Sequence, residues 1–152
     1  MRYIEALTNY EKTSDETSLF LAGGISGCPD WQSELAYLLR DEDVSLLNPR
    51  RQNFPIHDPK ASYDQIKWEH DHLRKADMIS FWFPKETLCP IVLYELGAWS
   101  MTQKQLFVGI HPEYQRKQDV EIQTGLVRPE ISIAYDLESL ASEIKYGLRK
   151  TR

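Results

Sequence analysis

Short, dense apolar runs alternate along this chain with longer stretches whose apolar positions recur every three or four residues. SLFLAGG (18–24) has the form of a buried strand stopped by two glycines. PDWQSELAYLLRD (29–41) starts with Pro29, suited to a first helical turn, and repeats Trp31, Leu35, Leu38 and Leu39 at helical spacing. VSLLNP (44–49) reads as a second strand, ended by Pro49, which has no N–H for a ladder. A long loop, RRQNFPIHDPKAS (50–62), leads to a helix, YDQIKWEHDHLRKA (63–76). DMISFWFP (77–84) is apolar enough for a third strand covered on both faces. After PKETLCP come a third helix, IVLYELGAWSMTQ (91–103), and a fourth strand, QLFVGI (105–110), ended by HPEY. A short helix, DVEIQTGL (119–126), a fifth strand, ISIAYD (131–136), and a closing amphipathic helix, LESLASEIKYGLRK (137–150), complete the pattern. Ahead of all these, YIEALT (3–8) has the form of a short edge strand, followed by a polar linker, KTSDETS.

Strands alternating with helices predict an α/β fold: a mostly parallel five-stranded sheet with helices on both faces, in one domain over 1–152. In such a fold the ligand crevice lies beyond the carboxyl ends of the strands. The expected pocket is therefore built from AGGISGC, NPRRQNFP (which begins at Asn48), WFPKETLCP and IHPEY.

Composition narrows the function classes more than it narrows the fold. A net charge of −5 and the lack of a basic block argue against a nucleic acid polymer as partner. No apolar run is long enough for a membrane helix, and the N-terminus has no secretory pattern, so the expected location is cytoplasmic. Cys28 and Cys89 have no metal-ligand spacing; the reading is two reduced thiols, no metal and no cofactor.

One carboxylate interrupts the apolar segment IVLYELGAW. With Ile91 set at zero and each residue turning about 100°, Glu95 falls at about 40°, between Ala98, Tyr94 and Met101 on one side and Trp99, Val92 and Leu96 on the other. Burying a carboxylate without a partner costs several kcal/mol. Either Glu95 is tied to a core cation or reaches out at the helix start, or it is held at a pocket edge as a nucleophile or general base. Gly97, two residues on, would permit close backbone approach.

In the preceding helix Ile66 and Leu73 mark one seam, and Glu69 and His70 lie on it. Asp71 points about 140° away. Glu69 is the stronger candidate, with an exposed helix charge as its alternative; His70 reads better as a hydrogen-bonded helix histidine. Asp77, at the amino end of its strand, reads as a junction residue capping backbone amides. The run Gly23-Gly24-Ile25-Ser26-Gly27 is either a phosphate-cradling loop or simply a tight turn; it lacks the Gly-x-Gly-x-x-Gly spacing. Trp82 or Phe83, near the carboxyl end of the third strand, could stack on a flat ring.

LFLAGGISG, WEHDHLRKADMISFWFP and YELGAW, in that order and spacing, resemble the nucleoside 2-deoxyribosyltransferase superfamily, in its compact 2-deoxyribosyltransferase-like branch. The resemblance runs from about Ser18 to Tyr135. It implies a flavodoxin-like or Rossmann-like three-layer sandwich, a homo-oligomer with sites near subunit contacts, and cleavage of the N-glycosidic bond of 2-deoxynucleosides or their 5′-monophosphates. The family's nucleophile falls on Glu95 and its assisting acid, commonly Asp, on Glu69. The glycine loop matches where relatives hold sugar or phosphate; the Arg that phosphate-binding relatives often carry there is missing, and Arg50 or Arg51 would have to approach from the next loop. The expected ligand is a small nucleoside or nucleotide. The competing readings are a non-catalytic nucleotide-binding or sensing module, an N-glycosidase acting on ribonucleotides or NAD-like substrates, and an interaction protein.

Overall fold

In the computed structural model, which describes residues 1–55 and 57–151, the chain is a three-layer α/β sandwich. Ile56, within the predicted long loop, and Arg152 lie outside the described residues. The elements in order are β1 (Arg2–Glu5), β2 (Ser18–Gly23), α1 (Trp31–Leu38), β3 (Ser45–Asn48), α2 (Pro59–Lys75), β4 (Met78–Phe83), α3 (Pro90–Ser100), β5 (Gln105–Ile110), α4 (Lys117–Val127), β6 (Ile133–Ala134) and α5 (Leu137–Lys150).

The strands form one sheet of order β1-β3-β2-β4-β5-β6, parallel at every pairing. There are six strands where the sequence pattern predicted five. The sixth is the N-terminal edge strand: Arg2–Glu5 pair with Ser45–Asn48. Without β1 the order is that of flavodoxin-like sheets, in which the chain reverses its winding beside the first inner strand. Here that reversal falls between β2 and β4, so the crevice opens beyond Gly23 and Phe83.

Side chains alternate between the faces, as the strand period of two requires. Phe20 and Ala22 of β2, Ile79, Phe81 and Phe83 of β4 and Val108 of β5 pack under α2, α3 and α4, with Trp68, Val92, Leu96 and Val120. Leu19, Leu21, Met78, Trp82 and Phe107 pack under α1 and α5, with Trp31, Leu35, Leu140 and Ile144. This two-sided burial is why the central strands read as unbroken apolar runs.

Helix starts follow local chemistry. Asp30, Asp58 and Asp136 accept hydrogen bonds from the backbone N–H of Ser33 (3.2 Å), Lys60 (2.9 Å) and Ser139 (2.6 Å), covering donors that a helix start leaves without partners. α1 therefore begins at Trp31, with Pro29 ahead of the cap instead of in the first turn. Pro59 and Pro90 do occupy first-turn positions, and α2 starts within the predicted loop. Among the described residues no helix is long and apolar enough to cross a membrane.

Candidate functional site

Beyond the carboxyl end of β2 lies a cleft of about 290 Å³, lined by Phe20, Ala22, Gly23, Gly24, Ile25, Ser26, Pro49, Ile66, Glu69, Thr87, Cys89, Pro90, Ile91, Val92 and Glu95. It lies under α2 and α3, on the sheet face that Phe20 and Ala22 share. A groove between α2 and α3 continues from it, lined by Ile66, Glu69, His70, Arg74, Ile91, Tyr94 and Glu95 among others. Glu69 and Glu95 belong to both spaces and sit where they meet.

The glycine loop is a close-packed wall of the cleft. A Cβ on Gly24 would stand 2.8 Å from Pro84 Cγ and 3.0 Å from Cys89 Sγ, so a side chain there has no room. Gly27 has φ of +72°, a conformation that favours glycine. The indole N–H of Trp31 donates to the Gly24 carbonyl (2.8 Å) and braces the loop from the opposite face. The far wall is the start of α3. Cys89, before Pro90, has φ 51° and ψ 54°, a left-handed conformation that is costly for a residue with a Cβ. The loop leading to it is held by the Tyr114 hydroxyl, which donates to the Leu88 carbonyl (2.7 Å).

The electrostatics of the two carboxylates set the site apart. Burial pushes the Glu95 carboxyl up to about 8, and the Glu69 charge adds to the effect. Glu69 is raised as well by burial, opposed by a hydrogen bond from Gln65. The Gln65 amide nitrogen donates to Glu69 Oε1 (2.7 Å) and to the Pro49 carbonyl (2.7 Å). No Lys or Arg among the described residues lines the cleft. Arg50 is engaged elsewhere, by Gln32 Oε1 (2.8 Å), the Pro29 carbonyl (2.9 Å) and Asp30 (3.4 Å); the Arg51 guanidinium lies over the Phe54 ring.

The structure thus brings Glu95, Glu69, Gly23, Gly24, Ile25 and Ser26 to one cleft and leaves the other sequence candidates outside it. Gly27 turns the loop but is not on its wall. Asn48 is buried, its amide donating to the Tyr3 hydroxyl (2.5 Å) and its oxygen accepting from Arg50 N (2.9 Å). Trp82 and Phe83 do not offer a ring to the cleft: strand alternation sends Trp82 to the α1/α5 face, and Phe83 is fully buried against Tyr114. Trp82 instead floors a separate hollow on that face with Trp31, Pro84 and His111, which takes up much of IHPEY. His70 lies in the α2–α3 groove, bonded to Arg74 (3.0 Å). Asp71 pairs with Lys67 in solvent (2.6 Å). Asp77 accepts from Ser18 N (2.8 Å) and Oγ (2.9 Å) at the far end of the sheet. Gly97 faces open space, so close approach is not its role.

The seam through Ile66 also needs correction. Ile66 is 66% exposed, and α2 is anchored through Ala61, Trp68, His72 and Leu73. Of the Ile66–Glu69–Leu73 line, Ile66 and Glu69 border the groove and Leu73 alone reaches the core. Gln65 was not singled out from the sequence, although its position four residues before Glu69 on one helix was the available signal. Among the described residues no group of three or more His, Cys, Asp or Glu is placed to hold a metal ion.

A parallel sheet wound in flavodoxin order, with two carboxylates in an apolar cleft at its switch point, defines an α/β protein of the nucleotide-fold class. Residues 16–114, well over half of the chain, match the family model described as nucleoside 2-deoxyribosyltransferase like, and the chain belongs to that family. No curated protein matches it. Membership ties the chain to glycosyl transfer on nucleosides and to small-molecule nucleoside binding.

Proposed function

We propose that the protein cleaves the N-glycosidic bond of 2-deoxynucleosides and passes the deoxyribosyl group to another base or to water. The observation that carries this reading is the meeting of Glu95 and Glu69 in a largely apolar cleft that no Lys or Arg among the described residues lines. Glycoside chemistry commonly places two carboxyl groups around an oxocarbenium-like transition state, one ionised and one carrying a proton. The Glu69–Glu95 pair holds one proton at neutral pH, because two charges at one desolvated site repel.

In the first step a carboxylate oxygen of Glu95 forms a bond to C1′. The C1′–N bond breaks with its electron pair going to the base, which takes the proton from Glu69. In the second step an incoming base, or water, attacks C1′, gives a proton to Glu69 and releases Glu95. The scarcity of water strengthens the carboxylate's field on the developing positive charge. A cleft that carries acid and no base favours an uncharged nucleoside over its 5′-monophosphate, since a phosphate dianion would meet two carboxyl groups without a countercharge.

The mouth of the cleft is rimmed by exposed Ile66, Ile91 and Tyr94, with Met101 further along α3. Such a rim fits a homo-oligomer in which a second copy covers the site. The direct test is to incubate the protein with deoxynucleosides and deoxynucleotides, with and without a free acceptor base, and follow base exchange chromatographically. Exchange that is lost in Glu95→Gln supports the reading. Exchange that persists in that variant at the wild-type rate rejects the assignment. Binding without base release would favour a sensing module on the same fold.

A further inference from the structure

We propose that Gln65 decides which of the two cleft carboxyl groups carries their shared proton, keeping Glu69 ionised and leaving the proton on Glu95 while the site is empty. This rests on the two-carboxylate reading above and adds a positioning residue to it. The orientation of the Gln65 amide follows from its surroundings. A backbone carbonyl can only accept, so the amide must present its NH2 to Pro49 O (2.7 Å). The second N–H of the same NH2 then meets Glu69 Oε1 (2.7 Å), which must accept; a carboxylate oxygen accepts more strongly than that of a neutral carboxyl, so the bond favours the ionised form of Glu69. Glu95 has no such help. Only burial and the charge of Glu69 act on it, and both favour its neutral form.

Among the described groups that face the pair, Arg74 is the one cation, and it makes no ion pair with either carboxyl. Cys89 and Thr87 come from the loop before α3, Ser26 from the glycine loop and Tyr94 from α3 itself; none is a cation. His70 and Arg74, on α2, border the groove but bond to one another. The empty site is therefore one proton transfer away from the reactive arrangement. Glu95–COOH and Glu69–COO⁻ must become Glu95–COO⁻ and Glu69–COOH, with nothing gained or lost, before Glu95 attacks C1′ and Glu69 gives its proton to the leaving base. Gln65 holds the protein in the resting order; a nucleoside in the cleft would have to compensate for reversing it.

The test is a pH titration of the side-chain carboxyl carbons by NMR on protein labelled at glutamate, in the wild type and in Gln65→Met, which keeps the length and removes the donor. In the wild type the Glu95 resonance is expected to titrate at the higher pH, near 8, and Glu69 below it. In Gln65→Met the Glu69 midpoint should rise by about one unit and that of Glu95 should fall. The acid limb of the pH profile for base release should move with them. Unchanged midpoints in the variant, or a wild type in which Glu69 titrates above Glu95, would overturn the proposal. If Gln65→Met does not fold, Gln65→Leu, which also lacks the donor, carries the same comparison. The titration needs no turnover: a protein that never releases base yet titrates as stated rejects the proposed function and keeps this inference. Turnover with midpoints indifferent to Gln65 does the reverse.

Discussion

Asp77 and Glu95 are acidic side chains at opposite ends of the same sandwich, and the fold treats them in opposite ways. Asp77 lies where α2 hands over to β4. Burial alone would raise its carboxyl, but bonds from Lys12 and from the N–H and hydroxyl of Ser18 outweigh that and hold it below the usual range. Glu95 lies where α3 borders the cleft, and among the described residues no donor or cation offsets its burial. A carboxylate whose lone pairs are satisfied stabilises the fold; one left without partners destabilises it and is available for chemistry. The contrast separates a structural acid from a candidate nucleophile more cleanly than burial does, since neither residue is fully buried.

The largest effect that tests this contrast is on activity. Glu95→Gln should lower base exchange by about 10³-fold or more, while the same change at Asp77 leaves the rate of properly folded protein unaltered. Comparable losses at both positions would dissolve the distinction. Next is Glu69→Gln, which should cost about 10²-fold through loss of the proton donor. It should also lower the Glu95 midpoint, because the neighbouring charge is gone; carboxyl-resolved NMR titration checks the second half independently of the first.

Stability should move with opposite signs at the two ends. The folded-state value of Asp77 is depressed, so its contribution is present above the ordinary aspartate range and is lost as pH falls through the folded value. Asp77→Asn should cost about 1–2 kcal/mol near neutral pH, allowing for partial exposure, and almost nothing in strong acid. Glu95 is raised, so ionising it costs stability progressively from the ordinary glutamate range to about 8. Glu95→Gln should therefore melt higher than wild type above pH 8 and alike at pH 4. Thermal unfolding across pH checks both signs in one series. The smallest effect is expected at Tyr94, which is 77% exposed: Tyr94→Ser should change unfolding free energy by under about 0.5 kcal/mol. If the α3 rim is covered by a second copy, the same variant should weaken self-association, read by sedimentation or light scattering.

Much of the fold was legible because it is written in local periodicity. The runs at β2, β4 and β5 are dense enough to require cover on both faces, and the helices between them follow the 3.6-residue repeat. What escaped was short or non-local. Ile133–Ala134 form a strand of two residues because only that much of ISIAYD pairs with β5. β1 became a full member of the sheet because Tyr3 and Ile4 found Leu46 and Leu47 with β2 and α1 lying between them in the chain, a separation that no local window spans. Trp82 and Phe83 illustrate a different limit. Their place near the carboxyl end of β4 was evident, but which face of the sheet carries the cleft depends on where α2 and α3 dock.

The amino-acid sequence by itself determined the layered parallel architecture, the glycine turn after β2 and the presence of Glu69 and Glu95 on helix faces where a carboxylate is out of character. These follow from residue type and spacing, which act over one or two turns or a single strand. Only the tertiary structure decided that both carboxyl groups enter one cleft, that Arg50 is occupied elsewhere, and that a glutamine held on the Pro49 carbonyl reaches Glu69. Those are through-space facts. Desolvation and Coulomb interaction depend on which groups meet after the chain has folded, and distance along the chain does not set them.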